Sequence, residues 1–315
     1  MADKNKIIVV CGPTASGKTG LSLLLAQKFN GEIISADSMQ IYKNLDIGTA
    51  KATKEEQAVA PHHLVDILSP DQPYNVQQFV EMAAKAIEDI SLRGKTPIIA
   101  GGTGLYIESL INGIKFSDQP DNADIKQQLQ QELAENGTEY MYNILKEIDP
   151  EYAATVHPNN YVRVIRAIEI YRLTSKTMTQ QLAESRPAEK PYDVLLIGLT
   201  CEDRQKLYDN INLRVDIMMN EGLLPEAEYV YKNKDTFKTC TSAIGYKEFF
   251  PYFDGESSLD ECVDKLKQAS RNYAKRQLTW FNRMKDVNWL YVDKVDYKEY
   301  AVNMAKDFLE REING

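Results

Sequence analysis

The chain is poor in the residues that build disulfide frameworks and metal cages. Its four cysteines, Cys11, Cys201, Cys240 and Cys262, lie far apart with no CxxC pair, and three histidines are too few and too scattered for a zinc-binding spacing. A reducing compartment follows from that usage. No stretch approaches the roughly 18 consecutive apolar residues of a membrane span, and Lys4–Cys11 is too short for a signal-peptide core and lacks its cleavage site. The cytoplasm is the expected location, with no membrane partner. Basic charge is also in short supply: 37 Lys+Arg against 46 Asp+Glu leave a net charge of −9, which argues against indiscriminate coating of nucleic acid. Any polyanion has to be met by a local basic surface.

What the chain does have is enough apolar material for a core. At 315 residues and 43% hydrophobic it is long enough for two compact units, or for one large domain with an insertion. Ile7–Cys11 (IIVVC) is a continuous β-branched run closed by Gly-Pro, as suits a strand buried on both faces of a parallel sheet. Further strands are expected at Glu32–Ala36, Pro97–Ala100, Val194–Leu199 and Trp289–Val292, with helices between them at Thr19–Phe29, Val76–Ser91 and Leu105–Ile111. That alternation predicts an α/β fold, a parallel sheet of P-loop type flanked by helices.

Near Gln119 the pattern changes. Strand signals nearly vanish and helical blocks take over at Asp124–Asn136 and Tyr161–Leu173, so residues 120–189 read as a helical insertion into a core made of 1–119 and 190–315. Asp121–Glu151 holds eight acids and two bases, whereas His157–Pro187 holds five bases (Arg163, Arg166, Arg172, Lys176, Arg186) and two acids. The second block suits a phosphate backbone or, equally, an ordinary solvated helix face. Pro187 and Pro191 bracket the return to the sheet, and the remainder is mainly helical, over Arg204–Asn220 and Leu259–Met284.

Gly12-Pro13-Thr14-Ala15-Ser16-Gly17-Lys18-Thr19 fits GxxxxGK[ST] between a predicted strand and a predicted helix. Glycines let the backbone wrap an anion, amides and a helix N-terminus supply partial positive charge, Lys18 adds a full one, and the Thr19 hydroxyl suits Mg²⁺. A diphosphate group is the expected ligand. An ATP-using kinase would want an acid after another apolar strand, yet Pro97–Ala100 runs into Gly101-Gly102-Thr103-Gly104 with no carboxylate. Asp37 is the acid at a strand end, as a metal holder or a catalytic base. Ligands bind beyond the carboxyl ends of such strands, so the P-loop, Asp37 and Thr103 should share one crevice.

Several segments together resemble the bacterial tRNA dimethylallyltransferases, also called tRNA isopentenyltransferases: GPTASGKT at Gly12–Thr19, DSMQIYKNLDIGTAK at Asp37–Lys51, PHHLVDI at Pro61–Ile67, GGTGLY at Gly101–Tyr106, HPNNYVRVIRAIE at His157–Glu169, IGYK at Ile244–Lys247 and KRQLTWF at Lys275–Phe281. They occur in family order as far as about residue 290, beyond which the zinc finger of eukaryotic members is not seen. The resemblance implies transfer of a dimethylallyl group from dimethylallyl diphosphate to N6 of the adenosine 3′-adjacent to the anticodon of a tRNA. It implies Mg²⁺ as cofactor, a tRNA anticodon stem-loop as partner and a monomeric enzyme; an ATP-using small-molecule kinase is the alternative. By the same resemblance Asp37 is the general base and Thr103 orients the amine, while Lys18 and Arg214 stabilise the leaving diphosphate. Taken as a lone charge, Arg214 is equally a helix-surface residue paired with Asp209 or Asp216. The tRNA contacts implied are Asp37, Ser38, Met39, Gln40 and Thr103; Val162, Arg163, Val164, Ile165 and Arg166; Ser242, Gly245, Tyr246 and Lys247; and Lys275, Arg276 and Gln277. Asn282 stands where many relatives carry arginine, and Ser242-Ala243-Ile244 replaces a more basic start, so Arg283 is a candidate substitute. Trp280 and Phe281 fit either RNA stacking or core packing.

Overall fold

In the computed structural model, residues 4–116 and 122–311 are described. Six strands form one parallel sheet: β1 (Asn5–Cys11), β2 (Gly31–Ser35), β3 (His62–His63), β4 (Thr96–Gly101), β5 (Tyr192–Thr200) and β6 (Asn288–Tyr291), in the order β3-β2-β4-β1-β5-β6. The longer helices are α1 (Lys18–Lys28), α2 (Val76–Leu92), α3 (Gly104–Ile111), α4 (Ala123–Ile148), α5 (Tyr161–Thr174), α6 (Arg204–Glu221), α7 (Leu223–Lys232), α8 (Leu259–Phe281) and α9 (Tyr297–Glu310). The expected α/β architecture is present. The short edge strand β3 was not foreseen, since two histidines carry no strand pattern.

The chain divides into two units, one of residues 1–111 with 190–315 and one of 112–189. The insertion's expected start, at residue 120, lies outside the described residues. In the first unit, strand β1 alternates between two apolar layers. Ile7, Val9 and Cys11 join a layer with Phe79 of α2, Ile107 of α3 and Leu266 of α8. Ile8 and Val10 join the other with Leu21 and Leu25 of α1 and Ala301, Ala305 and Phe308 of α9. Burial on both faces explains why β1 reads as a continuous apolar run, and each such isoleucine contributes roughly 1.5–3 kcal/mol by leaving water.

The second unit has its own core, with Leu129, Met141 and Leu145 of α4 against Val164, Ala167 and Ile168 of α5. Helix α4 breaks at Gly137 (φ 81°), where the helical pattern was expected to stop at Asn136. Asp149 caps the next turn by accepting from the Tyr152 amide (3.0 Å) and also holds the Thr179 amide (2.9 Å) and hydroxyl (2.7 Å). Three members of the basic block are engaged within the unit: Arg166 with Glu169 (2.7 Å), Arg172 with Glu132 (2.8 Å) and Lys176 with Glu184 (2.6 Å). Arg163 and Val162 stay exposed.

Strand β2, next to the edge strand β3, carries a buried carboxylate. Glu32 is enclosed, and it receives Arg93 (2.7 Å from Nη2), Lys95 (2.6 Å) and His63 (2.7 Å). The Arg93 hydrogen bonds, outweighing burial, hold it well below the usual carboxylate range, helped by Lys95 and His63. A depressed carboxylate stabilises the fold above its unfolded pKa, here 4.5, and that contribution disappears as pH falls through the folded value. Because Arg93, Lys95 and His63 are all partly exposed, solvent screening trims the effect. Glu32→Gln should cost about 2 kcal/mol in urea denaturation at pH 7, with the gap to wild type narrowing below pH 4; equal stability at pH 7 would contradict this role.

Candidate active site

A crevice of about 480 Å³ opens beyond the carboxyl ends of β1, β2 and β4, a size usual for small-ligand sites. Its floor is the P-loop between β1 and α1. Gly12, Ala15 and Gly17 take positive φ (143°, 61° and 82°), and the loop runs straight into the N-terminus of α1. This is the amide-lined anion cradle expected from the sequence. The Ser16 hydroxyl is buried in it without a hydrogen-bond partner, and Lys18 Nζ donates to the Pro13 carbonyl at 2.7 Å, so the ammonium lies over the loop.

Two cations, Lys18 and Arg214, share this space with one carboxylate, Asp37, and Lys247 and Arg276 add to its lining. Burial, then the nearby Arg214, push the Lys18 ammonium down to about 8, with Asp37 opposing them. Arg214, on α6, is itself lowered, by burial first, and feels Asp37 and Glu56. The partners it would have as a plain surface residue are otherwise engaged: Asp216 with Lys267 (2.6 Å) and Asp209 with Gln205 (2.9 Å). Asp37 follows β2 and caps the next turn, its Oδ1 accepting from the amides of Met39 (2.8 Å) and Gln40 (3.4 Å). Oδ2 accepts no hydrogen bond among the described residues.

The rest of the wall is built around Glu226 of α7. Its carboxylate accepts from the amides of Asp46 (2.8 Å), Ile47 (3.0 Å) and Gly48 (2.8 Å) and from the Tyr246 hydroxyl (2.8 Å). That fixes the segment carrying Gly48, Thr49 and Ala50, which lines the crevice beside Ser242, Gly245 and Lys247, Gly48 packing against Gly245 and Tyr246. Nothing in the sequence marked Glu226 out, because three of its four partners are backbone groups about 180 positions away.

The expected site residues fall into three groups. Thr14 to Thr19 of the P-loop, Asp37 to Gln40, Arg214, Ser242, Gly245, Lys247, Arg276 and the inward-facing Gln277 line the crevice together. Thr103 does not line it: its hydroxyl is buried, with no well-formed hydrogen bond and with the Tyr273 phenol beside it, while its amide donates to the Ala36 carbonyl at 3.3 Å. Burial, then the charge of Asp37, push that phenol up to about 12, and Tyr273 itself lines the crevice. Tyr273 was not among the expected site residues, although it sits one helical turn before Gln277 on α8.

The third group comprises expected tRNA contacts whose side chains are engaged within the protein. The Val164 side chain is fully buried in the second unit's core, with Ile165 partly so beside it. Tyr246 is fully buried and held by Glu226, and Gln277 is 5% exposed and holds two backbone groups of the first unit. Their sizes and polarity serve packing and internal hydrogen bonds. Arg166 is tied to the buried Glu169. The open alternative for Trp280 and Phe281 resolves toward packing, because Phe281 is fully buried and the Trp280 indole donates to Glu108 at 2.9 Å. Lys275 and Arg276 remain exposed.

Among the described residues no cluster of three His, Cys, Asp or Glu side chains is placed to hold a metal ion. The donor set suits Mg²⁺ bound with an anion, since that ion keeps waters and takes few protein ligands beside substrate phosphates. Also among the described residues, no helix is long and apolar enough to cross a membrane.

Parallel sheet, P-loop and a carboxylate facing two cations define a P-loop protein built for a diphosphate-bearing ligand and a proton-losing partner. Comparison with known proteins narrows the class. The IPP transferase family profile matches residues 40–284 and an isopentenyl transferase profile matches 5–64. The chain is 48% identical over 306 residues to the tRNA dimethylallyltransferase of Acetivibrio thermocellus, spanning 97% of each chain. Among solved structures it is similar to the tRNA isopentenylpyrophosphate transferase of Bacillus halodurans (TM-score 0.70, 41% identity, 97% and 98% of the two chains). It is also similar to a eukaryotic dimethylallyltransferase described as acting on tRNA (TM-score 0.83, 32% identity, 99% of this chain and 81% of that one). The chain belongs to the IPP transferase family.

The crevice depends on two strand ends touching. A Cβ on Gly101 would lie 2.1 Å from the Ala36 carbonyl oxygen, a backbone atom that has no rotamer to escape into. Gly101→Ala should therefore lose about 2 kcal/mol or more in chemical denaturation, whereas a stability within 0.5 kcal/mol of wild type would show that β2 and β4 can part freely.

Proposed function

We propose that this chain is a tRNA dimethylallyltransferase, which moves the dimethylallyl group of dimethylallyl diphosphate to N6 of the adenosine 3′-adjacent to the anticodon, acting as a monomer in the cytoplasm. The observation that carries the reading is the placement of Asp37 across one crevice from Lys18, Arg214 and the P-loop amides. A diphosphate leaving group and a carboxylate able to deprotonate the attacking amine then share a single crevice.

An adenine N6 amine is a weak nucleophile because its lone pair is delocalised into the ring. As the new C–N bond forms at the allylic carbon, Asp37 takes the amine proton through the oxygen that makes no internal hydrogen bond. The allylic C–O bond breaks with its electron pair passing to the diphosphate. Charge grows there in the transition state, so the P-loop amides, Lys18 and Arg214 stabilise it more than the ground state. Mg²⁺, held by the Thr19 hydroxyl and donor oxygens, would offset part of the same charge. The adenine has to leave its stack to enter the crevice, at a cost of a few kcal/mol. Ser38, Met39, Gln40, Lys247, Lys275 and Arg276 are the first unit's tRNA contacts in this reading, with Val162 and Arg163 from the second.

A kinase would hold its nucleotide-bound metal with an acid after β4, and β4 ends in Gly101. The decisive variant is Asp37→Asn, which keeps the side chain's shape and removes the base. Turnover with unmodified tRNA should fall roughly 10²-fold while tRNA affinity changes little; wild-type turnover would assign the base elsewhere.

Lys18 gives the site a pH dependence. With its free-enzyme value near 8, the ammonium that receives the diphosphate is present below that pH and lost above it. Donor affinity in equilibrium binding should weaken as pH rises from 7 to 9, and Lys18→Arg should abolish the weakening, because guanidinium stays charged. An affinity flat across that range would mean that Lys18 does not hold the diphosphate.

A further inference from the structure

We propose that Gln277 is a positioning residue that locks the donor cradle and the acceptor-side turn into one register; this rests on the transfer reaction proposed above. Its side chain is 5% exposed and spans two segments of the site. Oε1 accepts from the Thr14 amide of the P-loop at 2.8 Å, and Nε2 donates to the Gly102 carbonyl at 3.0 Å. The amide orientation is fixed by chemistry, since a backbone N–H only donates and a carbonyl only accepts.

The neighbours of Gln277 on α8 extend the same clamp. A Cβ on Gly102 would lie 2.2 Å from Gln277 Nε2, so the missing side chain is what admits the glutamine. About one turn later Trp280 rests on Gly104, where a Cβ would lie 2.4 Å from the indole Cδ1, and its Nε1 donates to Glu108. One turn earlier the Tyr273 phenol lies beside the Thr103 hydroxyl. GGTG and YAKRQLTW are therefore two halves of one interlocked device, and Gln277 is the member that also reaches the P-loop. Its burial makes direct RNA contact a poor use of the side chain. Its geometry instead sets how far the diphosphate oxygens lie from the Gly102–Thr103 turn, and displacements of about 1 Å in such an arrangement can cost about 10²-fold in rate.

The test uses the full chain with dimethylallyl diphosphate and an unmodified anticodon stem-loop RNA. Gln277→Leu removes both hydrogen bonds; Gln277→Glu keeps the acceptor toward Thr14 and loses the donor toward Gly102. With both substrates saturating, kcat should fall roughly 30-fold for the leucine variant and roughly 10-fold for the glutamate variant, while the Kd values for donor and stem-loop stay within about threefold. Should Gln277→Leu not fold, the nearly isosteric Gln277→Glu carries the test. A positioning role also predicts coupling to Thr103: Thr103→Val should lower kcat in the wild-type background yet add less than about threefold on top of Gln277→Leu. Additive effects, or a tenfold loss of stem-loop affinity with kcat unchanged, would overturn the inference in favour of independent roles or direct RNA contact. Unchanged kcat in both Gln277 variants of an active wild type would overturn the inference alone, whereas a wild type that transfers nothing from this donor would overturn the parent reading with it.

Discussion

The crevice exists because the carboxyl ends of three parallel strands converge. β1 lies between β4 and β5, and β4 lies between β1 and β2, so the segments leaving β1, β2 and β4 emerge side by side. A parallel sheet delivers every strand end to the same edge, and a loop, a carboxylate and a glycine-rich turn that are distant in sequence arrive within reach of one ligand. Backbone contact between Gly101 and Ala36 fixes how close the acid end and the turn come. The spacing between Asp37 and the glycine-rich turn follows from that contact.

The parts of the fold that were legible in the sequence are those whose burial is simple. IIVVC reads as a strand because both faces of β1 are covered, and Val76–Leu92 reads as a helix because Phe79, Ala83, Ile87 and Ile90 recur on one face. β3 was not legible, because His62 and His63 earn their place through pairing with β2 and through the His63–Glu32 contact rather than through apolar pattern. The basic block of the second unit was read as a choice between phosphate contact and solvated face. Three of its five cations turn out to be bound to Glu169, Glu132 and Glu184, and only tertiary structure reveals pairs such as Arg172 with Glu132, 40 positions apart.

The candidate site divides in the same way. A P-loop is legible because its chemistry is local: eight consecutive residues make one cradle. Asp37 was legible from its place at a strand end, and Arg214 from resemblance alone. Tyr273 and Glu226 were missed, and the bridge made by Gln277 was not legible, because their hydrogen bonds and contacts join segments that nothing in the linear order connects. A glutamine inside a basic, aromatic-rich stretch looks like an RNA contact until its side chain is seen facing inward to Thr14 and Gly102. Buried glutamine without two such partners would carry an unsatisfied amide, so the burial and the bridging explain each other.

The crevice is predominantly positive: Lys18, Arg214, Lys247, Arg276 and the P-loop amides line it with the single carboxylate of Asp37, in a chain that is acidic overall. That polarity matches a donor whose anionic group leaves and an acceptor that loses a proton, and it gives a phosphoryl group no second acid after β4. The central claim is therefore a claim about the donor. The most direct measurement supplies unmodified tRNA with either dimethylallyl diphosphate labelled in its prenyl group or ATP labelled in its γ-phosphate, and follows label into RNA. The account predicts stoichiometric prenyl label at the adenosine 3′ of the anticodon and none from ATP; label from ATP alone would contradict it.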